Sequence, residues 1–407
     1  MKILYILVAG IVLSFAAWVL WLTRPPREKG LRALQHNEMI DIPTEGNSIT
    51  TYTAFGPMFD DMLADIKSAK HHTYVQFFKV EPDATGQRLG SLLAKRAADG
   101  MEARLLYDDL VCHPWRWYYR ILERQGVATA GFGRVHIPFI TRRGYYRNHR
   151  KTVIIDGRVA YVGGMNIADR YLQGLGWGRW RDTMVRIEGP AAAAVQASFA
   201  MDWQYATGKK LDKPMHIPVT AATGLLPVRI ITSGPLGNGP QLMHFTVSLL
   251  DRTTSYVYLE TPYFIPTKEV KDALRRAARR GVDVRVLVPP RGDRGETTQY
   301  ASRRHFASMM ADGVKIGFYG EGFIHSKIIV ADDSVAVVGS CNIDPRSHLL
   351  CEEIAAVVDS SAYAAELKEV FLADEAVSTY IDPAAWRHRS LKERCGEVIT
   401  LPIASQL

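Results

Sequence analysis

Residues 148–169 read Asn-His-Arg-Lys-Thr-Val-Ile-Ile-Asp-Gly-Arg-Val-Ala-Tyr-Val-Gly-Gly-Met-Asn-Ile-Ala-Asp, and residues 324–344 read Ile-His-Ser-Lys-Ile-Ile-Val-Ala-Asp-Asp-Ser-Val-Ala-Val-Val-Gly-Ser-Cys-Asn-Ile-Asp. His149, Lys151, Asp156, Gly163 and Asn166 return as His325, Lys327, Asp332, Gly339 and Asn342, each 176 positions further on. An offset kept without a slip marks an internal duplication. His-x-Lys sets both side chains on one face of an extended strand, because successive residues point to opposite sides. The β-branched apolar runs that follow continue a buried strand. Each aspartate stands at the strand end, where a turn begins with Gly157 or with Asp333-Ser334. A second apolar strand leads to Gly163-Gly164 or Gly339-Ser340, then to Asn166 or Asn342. Small residues there let the backbone approach a ligand, and each asparagine offers amide donors.

Two histidines, two lysines and two asparagines converging make a cationic, donor-rich pocket suited to the oxygens of a phosphodiester. A neutral imidazole can attack phosphorus while a protonated one gives its proton to the leaving alkoxide. The lysines and asparagines then stabilise charge on the non-bridging oxygens. A carboxylate is needed to fix the imidazole tautomer. Asp182 and Glu353, downstream of the two motifs, are the candidates. A lone histidine in an apolar strand is more often a satisfied core residue. Two His-x-Lys pairs in register are not so explained, since each would bury a bare lysine at a cost of several kcal/mol. The candidate catalytic set is therefore His149, Lys151, Asp156, His325, Lys327 and Asp332, supported by Gly164, Asn166, Asp182, Ser340, Asn342 and Glu353. Within it, the strand-end position of Asp156 and Asp332 favours a structural role.

The doubled motif resembles the phospholipase D superfamily, whose signature is His-x-Lys-x-x-x-x-Asp followed by Gly-Gly/Ser-x-Asn, present twice. The stretches 146–151 (YRNHRK), 180–191 (WRDTMVRIEGPA), 261–267 (TPYFIPT) and 342–347 (NIDPRS) are similar to segments of its cardiolipin synthase-like members. The resemblance runs from about Gly46 to the C-terminal end. It implies an α/β fold of two phospholipase D-like βα repeats packed edge to edge around one shared active site, with no metal and no cofactor. It also implies a phosphohistidine intermediate, with His149 as nucleophile and His325 as general acid; the residues themselves leave the opposite order open. The implied reaction moves a phosphatidyl group from phosphatidylglycerol to a hydroxyl of a second lipid, so the partner is an anionic phospholipid. One position departs from the pattern: Cys351 stands where the family often has asparagine, two residues before Glu353.

The net charge of +8 and pI near 9.2 favour anionic partners without choosing between lipid head groups and nucleic acid. The four cysteines (Cys112, Cys341, Cys351, Cys395) have neither C-x-x-C nor paired-histidine spacing, which argues against a zinc site; Cys341 and Cys351 read as reduced, semi-buried thiols. Ile3 to Leu22 carries no charge and as a helix would be about 30 Å long, enough to span a bilayer. A cleavable signal peptide is the rival, but Ala-Ala-Trp is a poor cleavage site. Arg24, Arg27, Lys29 and Arg32 follow the run. They favour a single-pass anchor in the cell membrane with the catalytic body in the cytoplasm. The expected organisation is an anchor over 1–24, a linker over 25–46 and repeats over 47–215 and 216–407.

Helical and strand-like patterns alternate through both halves, which predicts βαβ crossovers and a largely parallel sheet. The aromatic helix Trp115 to Gln125 fits core and interface packing better than lipid contact. Arg134, Arg142, Arg143, Arg147 and Arg150 lead into the first motif, as a solvated face or as contacts to phosphate or membrane. The Gly/Trp insertion from Tyr171 to Trp180 either touches lipid or forms a lid beside the site, or is simple loop packing. Three functions remain: a membrane-anchored phosphatidyltransferase, a phosphodiesterase hydrolysing phospholipid or nucleic acid, and a non-enzymatic scaffold. Intact motifs in both copies argue against the scaffold. The apolar N-terminal run makes lipid the better substrate than nucleic acid. The oligomeric state is not legible.

Overall fold

The computed structural model of the protein describes residues 41–135, 146–211, 221–237, 239–293 and 295–401, together with Gly10, Ser14 and Ala404. The first half runs β1 (Asp41–Tyr52), α1 (Phe55–Ser68), β2 (His72–Phe77), α2 (Ala84–Ala98), β3 (Glu102–Asp108), α3 (Arg116–Arg124), β4 (Ala128–Phe132), β5 (Arg147–Asn148), β6 (Thr152–Ile155), β7 (Val159–Gly163), α4 (Asp169–Gln173), β8 (Arg179–Arg181), β9 (Met184–Glu188) and α5 (Ala191–Thr207). The second runs β10 (Leu226–Ser233), α6 (Gln241–Arg252), β11 (Tyr256–Glu260), α7 (Lys268–Arg279), β12 (Asp283–Val288), α8 (Thr297–Arg303), α9 (Phe306–Met310), β13 (Lys315–Tyr319), β14 (Gly322–Ile324), β15 (Ile328–Ala331), β16 (Val335–Gly339), α10 (Pro345–Leu349), β17 (Cys351–Val358), α11 (Ser361–Ala376) and β18 (Ser378–Tyr380).

Apart from β5, which branches from β17, and β8 and β14, which form a ladder of their own, the strands join in one sheet in the order β18-β13-β12-β11-β15-β16-β17-β10-β1-β9-β7-β6-β2-β3-β4. The order reads the same outward from the antiparallel pair β1·β10. On either side β9 answers β17, β7 answers β16, β6 answers β15 and β2 answers β11. The duplication seen in the motifs therefore extends to whole half-sheets.

Along this path β2·β3·β4 and β11·β12·β13 are parallel, while the motif strands and the seam are antiparallel. The expected largely parallel sheet is corrected to a mixed one. The reason is local: each motif's two strands are joined by a tight turn, which returns the chain antiparallel to itself. Helices cover both faces. α5 and α11 lie on one face, where Phe199, Trp203, Leu367 and Phe371 share a core cluster that crosses the seam. On the other face Met58, Phe59, Leu89 and Leu93 close the first half. Leu242, Leu249, Val270 and Leu274 close the second.

β1 begins at Asp41, so Asp41 to Gly46, expected as linker, are strand. One strand serves two neighbours: Asp41 to Thr44 pair with β10 and Ser48 to Tyr52 pair with β9. The switch occurs at Gly46 (φ +80°), where a Cβ would come within 2.7 Å of Ala222 Cβ. Asn47, fully buried, pins it. Its Nδ2 donates to Thr44 Oγ1 (3.1 Å) and Leu226 O (3.1 Å), and its Oδ1 accepts from Ala191 N (2.8 Å). The expected anchor over 1–24 and the repeat boundary at 215/216 lie outside the described residues. Among the described residues no helix is long and apolar enough to cross a membrane.

Candidate active site

Each motif folds as a hairpin for a reason visible in its aspartate. Asp156 and Gly157 both have positive φ (51° and 66°), as do Asp332 and Asp333 (51° and 48°). Arg158 N donates to Ile155 O (3.0 Å) and Ser334 N to Ala331 O (3.0 Å), closing turns of the type that matches strand twist. The carboxylates do not turn toward the histidines. Asp156 accepts backbone N–H bonds from Lys70 (2.7 Å), His71 (2.8 Å) and His72 (2.8 Å). Asp332 accepts them from Thr254 (2.8 Å), Ser255 (2.8 Å) and Tyr256 (3.0 Å). Burial pushes both carboxyls up, but these donors outweigh it and hold them below the usual carboxylate range. Both aspartates fasten the hairpin to the start of β2 or β11, at the opposite end of β6 or β15 from the histidine.

At the histidine end the two halves exchange partners. β5, just ahead of His149, pairs in parallel with the start of β17, just ahead of Glu353. β14, just ahead of His325, pairs in parallel with β8, just ahead of Asp182. His149 N donates to Glu352 O (2.9 Å), and His325 N donates to Arg181 O (2.6 Å). Each histidine is thereby set beside the carboxylate of the other half. His149 Nδ1 lies 2.9 Å from Glu353 Oε1 and 3.1 Å from Ser340 O. His325 Nδ1 lies 2.6 Å from Asp182 Oδ2. An imidazole that donates its Nδ1 proton to a carboxylate keeps its lone pair on Nε2. The sequence supplied both carboxylates but not this crossing, because partner choice is set by strand register across the seam.

The small residues of the motif are explained by these carboxylates. A Cβ at Gly164 would lie 2.1 Å from Asp182 Oδ1. In the second copy Ser340 takes the same place and its hydroxyl donates to Glu353 Oε2. The Oδ1 of Asn166 accepts from Lys79 N (3.2 Å). The Oδ1 of Asn342 is buried and has no hydrogen-bond partner among the described residues.

Lys151 is fully buried and Lys327 is 4% exposed, while the histidine side chains keep 12% (His149) and 8% (His325) exposure. Lys151 Nζ donates to His149 O, and Lys327 Nζ to His325 O. Burial lowers Lys151 to about 7 and Lys327 to about 8, against the pull of Glu353 and Asp182. Burial also lowers both histidines, His325 to about 3. The lysine of each copy depresses the histidine of the other as well as its own. The two motifs therefore share one electrostatic site. Burial raises Asp182 and Glu353, but the neighbouring imidazole and lysine more than offset it, so both stay ionised.

Aromatic rings wall the site. Phe78 meets His149 edge-on at 4.8 Å. Trp180 lies 5.0 Å, Phe323 6.1 Å and Tyr263 6.5 Å from His325. The Gly/Trp insertion is thus packed structure: it supplies α4 and β8, and Trp180 is buried. Tyr118 and Tyr119 are likewise buried, whereas Trp117 is exposed.

Two arginines of the basic run point inward, not to membrane or phosphate. Arg147, wholly buried, forks onto Asp108 (2.7–3.1 Å). Arg150 binds Asp202 (2.7 and 2.8 Å), Glu352 (3.0 Å) and the carbonyl of Glu353 (3.0 Å). Sequence reasoning did not single out Asp108, Asp202 or Glu352. Arg142 and Arg143 lie outside the described residues. Among the described residues the four cysteines are free, with Cys351 buried and Cys341 half-buried. No group of three or more His, Cys, Asp or Glu side chains among them is placed to hold a metal ion.

Comparison with solved structures agrees with this architecture. Phosphatidylserine synthase from Haemophilus influenzae Rd KW20 superposes with a TM-score of 0.67 at 14% identity, over 93% of this chain and 97% of that one. Polyphosphate kinase from Porphyromonas gingivalis gives 0.57 at 13% identity, over 83% of this chain and 49% of that one. At those identities the likeness is one of fold. In sequence, the chain is 35% identical over 368 residues to a cardiolipin synthase of Listeria welshimeri, covering 88% of this chain and 75% of that protein. It is 34% identical over 365 residues to one of Staphylococcus aureus, covering 89% and 74%. The family described as "Cardiolipin synthase, PLD-like domain" matches over residues 62–203 and 246–375, one segment for each half-sheet. With both motifs intact and both segments matched, the chain belongs to that family of phospholipase D-like proteins.

Proposed function

We propose that the protein is a phosphatidyltransferase that moves a phosphatidyl group from phosphatidylglycerol to a hydroxyl of a second lipid, through a phosphohistidine. The observation that carries this reading is the crossed pair of His–carboxylate contacts set between two buried lysines. Its kinship with cardiolipin synthases supports the substrate class.

The phosphate of the donor enters between Lys151 and Lys327, whose ammonium groups offset charge on its non-bridging oxygens. His149 Nε2, held as nucleophile by Glu353, forms a bond to phosphorus as the bond to the glycerol oxygen breaks. His325, held by Asp182, gives its Nε2 proton to that oxygen and glycerol leaves. In the second step His325 takes the proton of the incoming hydroxyl, whose oxygen bonds to phosphorus as the His149–phosphorus bond breaks. Burial makes His325 bind a proton weakly. The negative charge of the phosphodiester, arriving beside it, makes protonation easier. Asp156 and Asp332 hold the hairpins, and Asn166, Asn342, Gly164 and Ser340 shape the phosphate-facing turns. We further assign residues 1–24 to a single-pass membrane anchor with the catalytic body on the cytoplasmic side.

The test is incubation of the purified protein with phosphatidylglycerol in detergent. Cardiolipin with equimolar glycerol is the expected product. Phosphatidic acid alone would replace transfer by hydrolysis, and cleavage of DNA without lipid turnover would overturn the lipid reading. His149→Ala abolishes turnover, and His325→Gln lets phosphorylated His149 accumulate. Label found on His325 of the native enzyme would reverse the two roles.

A further inference from the structure

Arg170, on α4, takes no part in the steps above. Its guanidinium lies 5.1 Å from the ring of Tyr171 and 5.4 Å from that of Trp180. Trp180 is the ring that stands 5.0 Å from His325, so Arg170 is one aromatic layer away from the proposed acid. Its Nη2 donates to Tyr171 Oη (3.2 Å), while its Nε is buried with no hydrogen-bond partner among the described residues. Asp293 and Glu81 act on it only through space. Each of them has a donor of its own, Tyr263 Oη at 3.2 Å for Asp293 and Lys79 for Glu81. A second guanidinium, that of the exposed Arg291, lies 5.9 Å from Trp177, which packs 6.4 Å from Phe323. Both cations thus pack against the aromatic cluster that borders His325.

A half-buried guanidinium with an unused N–H edge is suited to two oxygens of a phosphate. The phosphate being transferred is served by the two lysines, and a glycerol leaving group carries no charge. The one further anion in the reaction is the phosphate of the accepting lipid. Resting on the transfer reaction proposed above, we infer that Arg170, aided by Arg291, binds the phosphate of the acceptor, so that the second substrate is selected as an anionic phospho-alcohol. The acceptor hydroxyl gives its proton to His325 while its own phosphate, a glycerol unit away, rests on Arg170.

The test uses the full-length enzyme in detergent with phosphatidylglycerol as donor and three acceptors: labelled glycerol, labelled glycerol 3-phosphate and labelled phosphatidylglycerol. Loss of a charge-assisted contact of about 1.5–3 kcal/mol corresponds to roughly 10- to 100-fold. Arg170→Ala is therefore expected to raise KM for glycerol 3-phosphate and for acceptor phosphatidylglycerol by about that factor, with transfer to glycerol altered less than about twofold. Arg170→Lys, which keeps the charge and the aliphatic stem, restores part of the difference. An equal fall with glycerol and glycerol 3-phosphate would make Arg170 a packing residue of Trp180 and overturn the inference. So would unchanged kinetics with all three acceptors. A change with phosphatidylglycerol but not with glycerol 3-phosphate would assign recognition to the acyl chains instead, and also overturns it. If the unsubstituted enzyme transfers phosphatidyl to no acceptor, the transfer reaction itself is what fails.

Discussion

Lys151 and Lys327 carry a penalty that the active site uses. Burial lowers them to about 7 and about 8. They lose their protons as pH rises through that range, and with them the attraction for an anionic phosphodiester. KM for the phospholipid is expected to climb between about pH 7 and pH 9, while the matching limb in kcat lies higher, because bound phosphate favours the ammonium form. The unfolded chain, with ordinary lysines, binds more protons between these values and about pH 10.4, so the two lysines make the folded protein more stable as pH rises across that window. Replacing Lys151 by Met removes its share of that slope in thermal melts while abolishing transfer. Asp156 works in the opposite way. Its three backbone N–H partners make Asp156→Ala a stability lesion of about 2–4 kcal/mol, with turnover per folded molecule changed only a few-fold. Titration of melting temperature against active-site occupancy separates the two effects. The residue types and spacing of the motifs were legible in sequence because His-x-Lys alternation and the Asp-Gly turn are local. The destination of Arg147 and Arg150 was not: a basic run has the same look whether it faces solvent or meets Asp108, Asp202 and Glu352 inside.

Among the elements, β1 has the largest consequence for its size. Its switch from β10 to β9 at Gly46–Asn47 joins the half-sheets, and the side chain of Asn47 satisfies groups from both. Asn47→Ala leaves Leu226 O and Ala191 N without that partner and is expected to destabilise the fold by about 2–3 kcal/mol. Denaturant unfolding measures the loss; a change below about 0.5 kcal/mol would show the switch to be held elsewhere. Sequence periodicity marked the strand only from Ser48, because Asp41 to Gly46 are largely exposed, carry Pro43, and take their strand character from pairing with β10. The short strands β5, β8 and β14 were equally hidden: two- and three-residue ladders have no periodicity to read. Yet these ladders align each histidine with its carboxylate.

On the scale of the whole molecule, neither half contains a complete histidine–carboxylate pair of the candidate site. A chain of residues 1–211 has His149 without Glu353, and a chain of residues 221–407 has His325 without Asp182. Each expressed alone is expected to be inactive, and the two expressed together to recover transfer. Activity from either half by itself would mean that the crossed contacts are dispensable. The duplication announced a two-part site, since matched polar residues in both copies had to be kept for a reason. It did not announce which carboxylate serves which imidazole, because two near-identical copies offer both pairings and only the seam decides.

That seam also imposes an order of events at the ribosome. Every chemical group of the first copy is synthesised early, but the carboxylate that His149 meets is Glu353, 204 residues further on. Until Glu353 has been made, a nascent chain holds His149 without the carboxylate that orients it. The second half thus completes a constellation that the first half only begins.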